Sequence, residues 1–306
     1  PCATFGARIV IEDVTRIAAD DNHLEPVRPP AAIGSLLVES GHITDEQLER
    51  VLREQKRRRR RFGELIVKMG YAPQGAVDGA LARQFGYPTA RSSEGGRMPD
   101  GLVTAQNPNL PFAEAMRAMR GQLLQRWFTG EPDQSAMAVA SVDQGDGKSF
   151  ICANLAVVFA QLGESTLIID ADLRSATQQK IFGLRNRMGL SGVLSGRAGL
   201  SEVRRMRSLP KLSILPAGAM PPNPQELLSR GTFRRVLKEM AAHFDVILID
   251  TPAAQIASDV HVVAQRAGSA LLVARKDHTR APELTRLASS LSRTGAQVLG
   301  STLNDY

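Results

Sequence analysis

Residues 136–162 read AMAVASVDQGDGKSFICANLAVVFAQL, a short apolar run, a glycine-bearing turn and a long apolar segment. Residues 136–140 have the length and character of a buried strand, and 150–162 are long enough for a buried helix. Between them stands Gln144-Gly145-Asp146-Gly147-Lys148-Ser149. Glycines at such a junction let backbone N–H groups turn inward around phosphate oxygens, and the helix amino terminus adds the positive end of its dipole. In the pattern G-x-x-x-x-G-K-[ST] the lysine reaches the outer phosphates and the hydroxyl ligates Mg²⁺, which assigns those roles to Lys148 and Ser149. The match is imperfect, because Val142 stands where the first glycine belongs.

Two further stretches share the theme of an apolar strand that ends in acid. Leu167-Ile168-Ile169-Asp170-Ala171-Asp172-Leu173-Arg174 delivers two carboxylates and an arginine, and Asp245-Val246-Ile247-Leu248-Ile249-Asp250-Thr251-Pro252 delivers one carboxylate. More strands are expected at 212–216, 270–274 and 297–303. Apolar strands alternating with helical segments imply an α/β fold with a doubly wound, mostly parallel sheet. Ligands of such sheets bind beyond the carboxyl ends of the strands, so the three motifs are expected to converge on one crevice that takes ATP and Mg²⁺.

The 306 residues suit two domains. With 43% hydrophobic and 23% charged residues, the composition is that of a globular protein rather than a disordered or fibrous one. Cys2 and Cys152 have no metal-ligand spacing, which fits a reducing cytoplasm. No apolar run reaches membrane-spanning length. The net charge of +7 peaks in the block 56–61, read either as a solvated helix end or as a surface for an acidic partner. No interleaved aromatic pattern of the kind that stacks bases accompanies it, so specific nucleic-acid binding is not expected.

Residues 1–32 read as a tail. From 33 to 87 the sequence repeats itself, with Gly34 and Gly63, Gly41 and Gly70, Leu52 and Leu81, and Gln55 and Gln84 each offset by 29 residues. That predicts a small all-α domain built from a duplicated unit. Each copy holds a short apolar helix, a glycine stop and a second helix; in the first copy Thr44 and Gln47 predict a capping box, and Leu48 and Leu52 are expected to face inward. Residues 88–111 read as a linker, and 112–306 as the P-loop domain.

The three motifs together resemble the bacterial tyrosine kinases of polysaccharide export, which are built on the MinD/ParA-like P-loop fold. The resemblance covers 112–306 and extends to Pro221-Pro222-Asn223-Pro224-Gln225-Glu226-Leu227-Leu228, similar to a family octapeptide. Gln144 replaces the signature lysine of the ParA and MinD relatives, which favours the kinase branch. The resemblance implies nucleotide contacts from Gln144, Gly145, Asp146, Gly147, Lys148, Ser149, Phe150 and Arg174, and catalysis by Lys148, Asp170 and Asp172. It further implies that Ser149 holds Mg²⁺ directly, that Asp172 and Asp250 act through its waters, and that Asp170 is the base for an incoming tyrosine hydroxyl. Glu114, Arg117 and Arg120 match a family helix that docks subunits into a ring; the alternative is an ordinary exposed helix with charges at i, i+3 and i+6.

Taken whole, the chain is similar to EpsG-type chain-length-determinant tyrosine kinases. That resemblance implies a cytoplasmic protein recruited to the inner membrane by a membrane-embedded chain-length-determinant (Wzz-like) partner. The front end is similar to the amino-terminal domain of type II secretion and pilus ATPases, some of which bind cyclic di-GMP. Its second copy keeps Arg61, Gly63, Gly70 and Gln84, but the first has Ala32 in place of the arginine. One feature departs from the kinase pattern: there is no tyrosine-rich tail, and the only tyrosines are Tyr71, Tyr87 and Tyr306. A kinase, a regulatory ATPase and a cyclic-dinucleotide sensor therefore all remain as readings.

Overall fold

The computed structural model describes residues 32–58, 60–84, 101–131, 133–184 and 188–305. The expected tail, apart from Ala32, lies outside them, as do Arg59, Tyr87, Tyr306 and residues 88–100 of the expected linker. The described residues fall into two compact units, 32–84 and 101–305.

Among the described residues the small unit contains four helices, α1 (Ile33–Glu39), α2 (Asp45–Arg58), α3 (Phe62–Lys68) and α4 (Gln74–Gln84). The 29-residue repeat is visible in their packing. A Cβ on Gly34 would lie 2.4 Å from Leu48 Cδ1, and one on Gly63 would lie 2.9 Å from Val77 Cγ1, so each glycine lets the following helix of its copy cross closely. Gly41 and Gly70 adopt φ of 67° and 71°. Each ends its helix with an N–H bond to the residue three before it, Val38 O at 2.8 Å and Val67 O at 3.0 Å. A left-handed residue there costs an L-amino acid about 1–2 kcal/mol, which explains the glycines.

The capping box forms as expected, with Thr44 N–H donating to Gln47 Oε1 (3.0 Å) and Gln47 N–H to Thr44 Oγ1 (3.3 Å). Leu37, Val51, Ile66, Val77 and Ala80 fill the core. Leu52 corrects an expectation: it is 42% exposed while Val51 is fully buried. Leu48 and Val51 share a face at i, i+3, and the next residue is turned about 100° away from it.

The large unit has a seven-stranded sheet in the order β3-β4-β2-β5-β1-β6-β7. It opens with α5 (Val103–Gln106) and α6 (Pro111–Arg126), followed by β1 (Ala136–Ser141), α7 (Lys148–Leu162), β2 (Thr166–Asp170), α8 (Gln178–Ile181) and α9 (Gly189–Leu194). Next come β3 (Arg204–Met206), β4 (Leu209–Leu215), α10 (Pro224–Ser229), α11 (Gly231–Ala241), β5 (Val246–Asp250), α12 (Asp259–Ala267), β6 (Ser269–Arg275), α13 (Ala281–Arg293) and β7 (Gln297–Asn304). Every pairing is parallel except β3 with β4. Strands β1, β2 and β5 are buried along their whole length, as expected of strands covered on both faces. The octapeptide begins α10 with Pro224 in its first turn and sends Leu227 and Leu228 into the core.

The expected linker overreaches. Leu102, Thr104 and Ala105 are buried. Asn154 of α7 binds this segment through Thr104 N–H (3.0 Å), Thr104 Oγ1 (3.0 Å) and Gly101 O (2.9 Å). A four-residue helix has no legible period, and its anchor lies fifty residues away. The short antiparallel edge β3 escapes sequence reading for the same reason, since Arg-Arg-Met offers no alternation.

Candidate nucleotide and metal site

Parallel pairing in register sets Asp170 opposite Asp250 at the carboxyl ends of β2 and β5. Strand β1, paired with the central strand β5, feeds the P-loop. Gly145 and Gly147 both adopt φ of 89°, which bends the loop sharply before α7. Among the described residues no backbone bond takes up the N–H of Gly147 or Lys148. Lys148 is 8% exposed, so its ammonium is largely withdrawn from water.

The acids differ in their surroundings. Asp170 is fully buried and accepts N–H bonds from Asp172 (3.2 Å), Thr177 (3.2 Å) and Gln178 (3.0 Å). Burial, and then the neighbouring Asp250 carboxylate, push its pKa well up, against the Gln178 N–H bond, which lowers it. Burial likewise raises Asp250, opposed by the Lys148 ammonium and by hydrogen bonds from Ser149 and Gln178. Asp172 is 5% exposed and accepts from Arg174 N–H (3.2 Å) and Ser175 N–H (2.8 Å) through Oδ1.

Gln178, which no motif pointed to, joins the two acid strands to α7. Its side-chain amide donates to Asp250 Oδ2 (2.8 Å) and to Ser149 O (3.0 Å), while its backbone N–H holds Asp170. Asp250 Oδ1 and Gln178 Oε1 are buried without a partner. Buried oxygens of this kind are costly unless a cation, water or donor meets them. A carboxylate oxygen lacking a donor, the Ser149 hydroxyl and unpaired loop N–H groups beside a buried lysine form the donor set that a divalent cation and a phosphate chain require. The residues fit Mg²⁺ and a nucleotide.

Other expected contacts are engaged elsewhere. The Asp146 side chain is fully buried and hydrogen-bonded to Asp143 N–H and Thr279, so it faces into the protein rather than toward a ligand. Arg174 pairs with buried Asp259 through Nε (3.0 Å), and that hydrogen bond raises its pKa. Phe150 stacks on Phe112, with ring centroids 5.2 Å apart. On α6, Glu114 is 72% and Arg117 24% exposed, and the two pair at 2.6 Å. Arg120 is not the exposed residue that a charged stripe suggests, because its Nη1 donates to Val158 O of α7 at 2.6 Å.

The family match falls within the large unit. Residues 137–300 match the family model described as the CobQ/CobB/MinD/ParA nucleotide binding domain. The tyrosine-protein kinase YwqD of Bacillus subtilis (strain 168) is 30% identical over 214 residues, 70% of this chain and 90% of its own length. This chain belongs to the bacterial tyrosine-protein kinase family. The tyrosine-protein kinase ptk of Acinetobacter johnsonii is 40% identical over 204 residues, 67% of this chain but only 28% of its own length. The kinase domain of Escherichia coli tyrosine kinase ETK superposes with a TM-score of 0.65 at 31% identity, covering 70% of this chain and 84% of that domain. All three are tyrosine kinases by name, and the ETK domain shares the fold.

Proposed function

We propose that the chain is an ATP- and Mg²⁺-dependent protein-tyrosine kinase that regulates exopolysaccharide chain length and export. The observation that carries this reading is the partnerless Asp250 Oδ1 beside Gln178, Ser149 and Lys148. Ser149 would hold the cation, with Asp172 and Asp250 in its outer sphere, and Mg²⁺ would screen the charge of the transferring phosphoryl group. Lys148 and the N–H groups of Gly147 and Lys148 would bind and orient the phosphates. The tyrosine hydroxyl proton would pass to Asp170 in its ionised form, which Mg²⁺ would favour against the burial that raises its pKa. Asp170 is fully buried beneath the loop 171–178, which binds both its oxygens, so that loop would have to move for a tyrosine hydroxyl to reach it.

The partner in this reading is a membrane-embedded chain-length-determinant protein, which would recruit a cytoplasmic kinase to the inner membrane. Self-association would run through Glu114 and Arg117, with Arg120 holding α6 in place. No described helix is long and apolar enough to cross a membrane. The test is labelled ATP with mass spectrometry of the protein alone and with its partner. Phosphotyrosine on either supports the kinase, and hydrolysis without phosphotyrosine supports a regulatory ATPase. The second outcome is favoured by Tyr71, which lies half-buried against the small unit's core with its hydroxyl 3.5 Å from Arg50 Nη1. Cyclic di-GMP binding rests on exposed Arg61 and half-buried Gln84, since Gly63 and Gly70 already serve the fold; equilibrium dialysis with that nucleotide decides it.

A further inference from the structure

A carboxylate in the middle of a phosphate-binding loop opposes the loop's purpose, because it weakens the field of the adjacent lysine. Asp146 is such a group, and it is fully buried. Its Oδ2 accepts Asp143 N–H at 2.9 Å and its Oδ1 accepts the Thr279 hydroxyl at 2.9 Å. The same Thr279 Oγ1 accepts Arg275 N–H at 2.7 Å. The Asp146 carbonyl takes Asn304 Nδ2 at 3.0 Å. One residue therefore ties the P-loop to the turn after β6 and to the end of β7. Other polar neighbours are His278 Nδ1, 3.5 Å from Asp146 Oδ1, and Asp143 on the loop itself.

We infer that Asp146 is a positioning residue, acting with Thr279 and Asn304 to hold the P-loop in its nucleotide-accepting bend. The tie removes conformational freedom that nucleotide binding would otherwise have to remove, so affinity depends on it. The Thr279 hydroxyl is the telling element, since it makes the hydrogen bond to a charged group that links two loops. This inference rests on the proposed nucleotide site and sharpens it.

The experiment measures Mg-ADP affinity by calorimetry, with melting temperature alongside, for the parent, Thr279→Val, Thr279→Ser, Asp146→Ala and the double variant Asp146→Ala/Thr279→Val. Thr279→Val should weaken binding about tenfold, or about 1.4 kcal/mol. Thr279→Ser, which keeps the hydroxyl, should remain within about twofold of the parent, well inside that step. In the Asp146→Ala background the valine change should add nothing, the signature of coupled residues. A Thr279→Val protein that melts earlier but binds like the parent overturns the inference, as does equal loss in Thr279→Ser or full additivity in the double variant. A parent that binds no Mg-ADP refutes the nucleotide site itself, a separate result.

Discussion

Glycine marks the turns of both units, but to different ends. In the small unit the N–H groups of Gly41 and Gly70 are taken up by the helices they terminate, and Gly34 and Gly63 give way to crossing side chains. In the large unit Gly145 and Gly147 bend a loop in which the N–H groups of Gly147 and Lys148 find no backbone acceptor among the described residues. A glycine spacing points to a ligand only where the fold leaves its amides unsatisfied. In the small unit it points to duplication instead.

The largest expected effect lies on the acids of the large unit. Asp170→Asn should keep Mg-ATP affinity and lower phosphoryl transfer by about a hundredfold or more, as loss of a base does. Asp250→Asn should instead weaken the Mg²⁺ dependence. Stopped-time labelling over a Mg²⁺ titration separates them, and identical behaviour of the two variants would erase the distinction drawn between the acids.

The matching change in the small unit is Gly63→Ala. Its new Cβ would press on Val77 Cγ1, and overpacking of a tight core costs about 1–3 kcal/mol. Denaturant unfolding should show that loss while nucleotide affinity stays unchanged. A shift in affinity would show that the two units communicate and would break the contrast.

Asp170 and Asp250 also predict a pH response. Both have folded pKa values raised above the unfolded ones, so between those values the native state carries more protons and stability falls as pH rises. The window opens near the ordinary carboxylate value of about 4 and extends upward through the raised values. Mg²⁺ favours the ionised acids, so Mg-ADP binding should release protons there, and its affinity should grow with pH. Calorimetry in two buffers of different ionisation enthalpy measures the release; proton uptake would contradict the assignment.

The smallest effect is expected at α6. Arg120→Ala should cost about 1 kcal/mol through its lost bond to Val158 O. Arg117→Ala should leave stability nearly unchanged, because its pair with Glu114 is partly solvated, and should act on self-association. Thermal melts and sedimentation read the two effects apart.

The sheet, the P-loop and the two acid-ended stretches were legible because each motif is a local pattern, an apolar strand followed by a fixed residue type. Their convergence followed from parallel topology, confirmed by the Asp170/Asp250 register. Gln178 was not legible, since its importance comes from reaching β5 and α7 from a four-residue helix. Asp259, Thr279 and Asn304 were hidden likewise, each acting on a motif residue at least 85 positions away. Arg174 and Arg120 fall in recognisable motifs, yet the partners that hold them are visible only in three dimensions.

Isothermal calorimetry of Mg-ATP binding to the parent and to Lys148→Met tests the central claim most directly. Withdrawn from water, the Lys148 ammonium supplies charge that the loop amides alone cannot replace. The parent should bind, and the variant should show no measurable binding while melting as a folded protein. A variant with affinity within about threefold of the parent, well under one tenfold step of 1.4 kcal/mol, would contradict the nucleotide site.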